Sequence, residues 1–150
     1  MRMFFLLAAL VSLSSCTSLV LKPVEYAWPV ERVLEVDGKG MIQDDRYMLT
    51  MNVRPLFYEE TKDSANVYGQ SVRMIRDHAG YYYMTAKGFR NVYIFSESEG
   101  ALSLSTKVAV SDRPMREPAF NQRQPYIQLL NGSAEPKMLS SEGIVEGEQS

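Results

Sequence analysis

The 150-residue chain reads as an all-β protein, an antiparallel β-sandwich or small meander barrel built from successive hairpins. Three observations predict this. Apolar and polar residues alternate with the two-residue period of a half-buried strand over several segments. Glycine-containing turn signals recur between those segments. No stretch after residue 24 carries a sustained apolar stripe at i, i+3, i+4 and i+7, and Val, Ile, Thr, Tyr and Phe concentrate in the alternating runs.

Taken in order, the turn signal Asp37-Gly38-Lys39-Gly40 predicts a hairpin pairing 30–36 with 41–53. From Tyr47 onward, Tyr47, Leu49, Met51, Val53 and Phe57 share one face, with Thr50, Asn52 and Arg54 opposite. Asp44-Asp45 marks a bulge after that hairpin, and Pro55 ends or bulges the strand, or puts it at an edge. Asp77-His78-Ala79-Gly80 joins 71–76 to 81–86, and Ser98-Glu99-Gly100 joins 90–97 to 101–110. Leu102, Leu104, Thr106, Val108 and Val110 alternate there with Ser103, Ser105 and Lys107. A strand at 125–130 pairs with a weaker one at 136–140 across Asn131-Gly132. Asp112 to Pro125, with three prolines and three arginines, reads as a long loop or a crossover between sheets. The β-rich domain therefore covers 30–139, and the polar, acidic 140–150 is expected to be a flexible tail.

The first fifteen residues follow other rules. Met1-Arg2-Met3 supplies a positive start, residues 4–11 are an unbroken apolar run, and Ser12 to Ser15 supply small residues. The run is less than half of the roughly 20 apolar residues a spanning helix needs, so it reads as a signal peptide. Leu13-Ser14-Ser15-Cys16 resembles the lipobox of bacterial lipoproteins. That resemblance covers residues 1–16 only. It implies cleavage before Cys16, diacylglycerol on its thiol and an acyl chain such as palmitate on the new amine, with 16–29 as acylated cysteine and tether. Two or more chains give stable attachment where one gives only marginal binding. Thr17, where an Asp tends to retain such proteins in the inner membrane, points to the outer membrane of a two-membrane cell.

Cys16 is the only cysteine, which excludes an intramolecular disulfide and a thiolate metal cluster. Removal of residues 1–15 takes away Arg2 and leaves 15 basic against 18 acidic side chains. With no polybasic run, nucleic acid is not an expected partner and electrostatic adhesion to anionic lipid is not expected either.

Candidate chemistry is sparse. His78, the only histidine, sits in a turn without a Gly-x-Ser-x-Gly elbow or a ligand-spaced cluster, so neither a catalytic triad nor a metal site is expected. Asp44-Asp45 and Glu59-Glu60 read as solubilising strand ends, because neighbours on a strand point to opposite faces. In Tyr81-Tyr82-Tyr83, Tyr81 and Tyr83 facing the core would leave Tyr82 on the other face, with Tyr93 in the next strand. Tyr82 and Tyr93 are thus candidates for an aromatic partner or ligand surface, weighed against plain cross-strand packing. Arg113, Arg116 and Arg123 are the second candidate surface, suited to carboxylates or phosphates.

The expected function is a lipid-anchored cell-envelope protein of the outer membrane, facing the periplasm. It would be a non-enzymatic interaction or structural module with a protein partner in the envelope and no cofactor beyond its acyl chains. The alternative is a lipocalin-like or glycan-binding protein, although Ala27-Trp28-Pro29 lacks the glycine two places before tryptophan that marks lipocalins.

Overall fold

The computed structural model describes residues 29–146. Among the described residues are eleven strands and one short helix, and the strands form antiparallel sheets that do not close into a barrel, so the fold is all-β and sandwich-like. The main sheet has five strands in the order β1 (Arg32–Glu35), β4 (Ser71–Arg76), β5 (Tyr82–Ala86), β6 (Asn91–Ser98) and β7 (Ala101–Ala109). A second sheet runs β11 (Gly143–Val145), β10 (Lys137–Ser140), β9 (Tyr126–Asn131) and β8 (Pro118–Arg123). A separate hairpin pairs β2 (Met41–Asp44) with β3 (Leu49–Asn52) and leads into helix α1 (Arg54–Thr61).

Register shows how these layers stack. Met74, Met84 and Tyr93 are successive partners across β4, β5 and β6, so they share one face with Tyr82 and Phe95. The β2–β3 hairpin and α1 cover that face. Tyr82 meets Tyr47 edge to face at 5.5 Å, and Tyr93 donates a hydrogen bond to Glu60 of α1. The opposite face carries Arg73, Ile75, Tyr83, Ile94 and Thr106, and the four-stranded sheet covers it. Thr106 donates to the Ser141 carbonyl there. Glu31 binds Arg73 at 2.8 Å with one oxygen and accepts from the Phe120 amide at 2.7 Å with the other. That bond satisfies a β8 amide at the edge of its sheet.

Three of the four expected hairpins form: β4 with β5, β6 with β7, and β9 with β10. The first does not. The turn at Asp37 exists, with Asp37 accepting from the Lys39 and Met41 amides, yet β1 pairs with β4 and the stretch 41–53 folds back on itself. Asp44-Asp45 therefore begins a turn and marks no bulge. The real bulge lies between β6 and β7, where Ile94 pairs with Thr106 and Phe95 with Leu104, leaving Ser105 as the extra residue.

Three elements correct the sequence reading. Val53 to Phe57 is not strand, because α1 begins at Arg54 with Pro55 in its first turn and buries Leu56 and Phe57. The Asn52 side chain accepts from the Arg54 amide, and Lys62 in the left-handed region at φ 61° ends the helix. Asp112 to Pro125 does cross between the two sheets, one of its two expected readings, but it is not loop throughout, since β8 occupies Pro118–Arg123. The start of the tail is ordered as well, with β11 adding an edge strand to β10. The expected signal peptide, Cys16 and most of the tether fall in residues 1–28, outside the described residues.

Candidate functional site

The arginine-bearing crossover supplies the candidate site. Between β7 and β8 the chain is pinned on both flanks. Val110 and Ser111 amides donate to the Arg90 carbonyl, the Met115 amide donates to Phe89, and the Gly88 amide donates back to Met115. On the other side the Asn131 side-chain oxygen accepts from the Arg116 and Glu117 amides, each at 3.1 Å. Met115 is buried as the plug of this segment. The fixed backbone leaves Arg113 and Arg116 exposed on the rim of an open cleft of about 760 Å³, walled on the far side by Gly132 and Ser133.

Neither guanidinium makes an ion pair or hydrogen bond among the described residues. Asp112, Glu117 and Glu135 also reach this region, so the cleft is mixed in charge rather than a basic patch. Such a surface suits a partner that offers a carboxylate or phosphate within an otherwise polar contact. Arg123 does not join it. That residue closes β8 at the end of the strand away from Arg116, with Nε 3.3 Å from the Gln128 amide oxygen.

Of the two readings of the tyrosines, cross-strand packing is the one the structure forms, and the candidate aromatic platform is not at the surface. Tyr82 and Tyr93 are 4% and 2% exposed, so both are core residues and Tyr82 is not on an open face. The reason is the covering hairpin and helix. β5 is buried at every position and β6 from Val92 to Phe95, since both faces of these central strands are covered. Tyr82, Tyr83 and Tyr93 hydroxyls all have raised pKa, in each case chiefly through burial. Tyr83 donates to Asp77 and Tyr93 to Glu60, and both carboxylates add to the rise.

A second polar cluster lies at the end of the main sheet where β1 begins. Asp44 is fully buried, with Oδ1 accepting from the Arg46 amide and lying 3.2 Å from Arg32 Nη2. The Arg76 guanidinium lies over both Tyr47, at 5.7 Å, and Tyr82, at 5.3 Å. Asp44 Oδ2, Arg32 Nε and Arg76 Nε have no hydrogen-bond partner. The cluster clamps the β2–β3 turn onto the sheet, and sequence reading missed it because its members lie far apart in the chain.

His78 is exposed in its turn. Among the described residues no group of His, Cys, Asp or Glu is placed to hold a metal ion, and no helix is long and apolar enough to cross a membrane. No protein-family model, no curated protein and no solved structure matches this chain.

Proposed function

We propose that this chain is a lipid-anchored outer-membrane protein, periplasm-facing and non-enzymatic, whose domain holds an acidic segment of an envelope protein partner. The observation that carries the partner site is the hydrogen-bonded crossover presenting Arg113 and Arg116, whose guanidinium groups have no partner among the described residues. Its position supports the reading. The crossover is tied to Phe89 and Arg90, at the end of the main sheet away from the start of β1, where the tether joins. An anchor at one end would leave the cleft open to a partner at the other. The unclosed sheets favour this over a lipocalin-like carrier, and the burial of Tyr82 and Tyr93 favours it over stacking of a glycan on those rings.

The test has two parts. Intact mass of the native protein should show diacylglycerol on Cys16, and Cys16→Ser should move a folded domain to the soluble fraction. A photo-crosslinker at Ser133 should then capture a partner through an acidic segment, and Arg113→Glu with Arg116→Glu should abolish capture while the domain stays folded. Capture unchanged by the charge reversal would refute the cleft as the binding site.

A further inference from the structure

Resting on that anchored reading, we infer that the tip of the β2–β3 hairpin is a membrane-contact element, with Met48 as an apolar pin at the lipid surface. Met48 is 89% exposed, the most exposed of the large apolar side chains described. Its backbone lies in the left-handed region at φ 52°. Among the described residues Lys62 and Glu99 are the other non-glycine residues there, and both are charged. A long apolar side chain at such a position serves neither the turn nor the core.

The tip is held so that Met48 stays outward. Tyr47 before it packs against Tyr82, with Arg46 and Arg76 over its ring, and Leu49 after it packs partly into the core. Asp44 at the base of the turn accepts from the Arg46 amide and is bound to Arg32. Met48 therefore projects from a clamped turn.

Where the chain joins the domain selects the occupant. Pro29 is buried, Val30 is 49% exposed and β1 begins at Arg32, whose guanidinium binds Asp44 beside the tip. The anchor thus pulls on the same end that presents Met48. Pro29 lies thirteen positions after Cys16, a reach of at most about 45 Å. Leu104, 53% exposed, belongs to this end too, since it pairs with Phe95, which pairs with Tyr82. The tip is no basic patch, because Arg32 is bound to Asp44, Asp45 shares the turn with Arg46, and Glu97 lines one cleft with Arg76. A bilayer surface, met through apolar side chains at the anchored end, is the occupant that fits.

The experiment uses the full acylated chain in phosphatidylcholine vesicles, with Met48→Cys or Ser133→Cys carrying an environment-sensitive thiol fluorophore. Acylated Cys16 cannot react, so each label is unique. The expected result at position 48 is a blue shift, quenching by lipid-borne nitroxide and protection from aqueous iodide, all insensitive to salt. Position 133 should show none of these. Equal iodide access at 48 and 133 in protein whose Cys16 is acylated overturns the inference alone. Shielding of 48 in native envelopes but not in lipid vesicles also overturns it, assigning the tip to a protein partner. Missing diacylglycerol on Cys16, with no vesicle association by either protein, instead refutes the anchored reading and removes the basis of the inference.

Discussion

The Tyr93 hydroxyl donates to Glu60 Oε1 at 2.8 Å, joining a central strand to the helix that covers it. The same carboxylate accepts from the Arg90 amide at 2.8 Å and the Asn91 side-chain amide at 2.7 Å. Glu60 is thus a three-way latch rather than the solubilising strand end its sequence suggests, while Glu59 beside it pairs with Lys107 at 2.6 Å. Glu60→Ala leaves a buried phenol without its acceptor, and about 2–4 kcal/mol of stability should be lost. Tyr93→Phe removes donor and demand together and should cost about 1 kcal/mol. In urea unfolding the midpoint should therefore fall further for Glu60→Ala. The reverse order would mean that the helix is held by its apolar contacts alone.

Alkaline pH tests the buried tyrosines. Tyr82, Tyr83 and Tyr93 all hold their protons more tightly folded than unfolded. Below about pH 10, the ordinary phenol value, both states are protonated and the full stability is present. Above it the unfolded chain releases protons that the folded chain keeps, so stability falls as pH rises. The limiting slope is about 1.4 kcal/mol per pH unit for each such tyrosine. Replacing Tyr93 with Phe should make the alkaline decline of urea-unfolding free energy shallower, and an unchanged slope would overturn this account.

How far the sequence carried depends on distance along the chain. The hairpins at 71–76 with 81–86, 90–97 with 101–110 and 125–130 with 136–140 were legible because their turns sit between the partners. The partner of β1 was not, since β4 lies beyond an intervening hairpin and helix and no local rule selects it. Helix α1 is only eight residues long, about two turns, too short to sustain an apolar stripe. Its one usable signal was Asn52-Val53-Arg54-Pro55, a side-chain acceptor followed by proline in a first turn. Pro118 disguised β8, although proline is tolerated at the start of an edge strand. Tyr82 and Tyr93 failed as surface residues because alternation separates two faces without saying whether the second is covered. Arg113 and Arg116 were legible, since a proline-punctuated run of charge seldom enters a core, but only the fold separates them from Arg123.

Gly40 and Gly38, two residues apart in one turn, should respond differently to alanine. Arg54 donates to the carbonyls of Lys39, Gly38 and Ser64, tying the turn to the helix and the loop behind it. A Cβ on Gly40 would overlap Cγ and Nε of that side chain, and φ there is +79°. Gly38 has nothing within 4 Å of the equivalent position. Gly40→Ala should lose about 2 kcal/mol or more through backbone strain and the displaced arginine, against near neutrality for Gly38→Ala. Thermal unfolding of the two variants checks the difference, and equal shifts would show that Arg54 moves aside without consequence.

The strain at Met48 gives the membrane-contact assignment a thermodynamic signature of its own. A left-handed backbone costs an L-residue about 1 kcal/mol, and asparagine tolerates it better than methionine does. The Met48 side chain is too exposed to be missed by the core. Met48→Asn should therefore raise stability in the isolated domain, by about 0.5 kcal/mol or a few degrees in Tm. In the acylated protein on vesicles, the same substitution should reduce nitroxide quenching of a fluorophore placed at Asp45. A gain in stability joined to a loss of lipid contact is the pattern of a residue selected for what it touches outside the fold. A loss of stability would place Met48 in the packing after all, and undiminished quenching at position 45 would show that the anchor alone orients the domain.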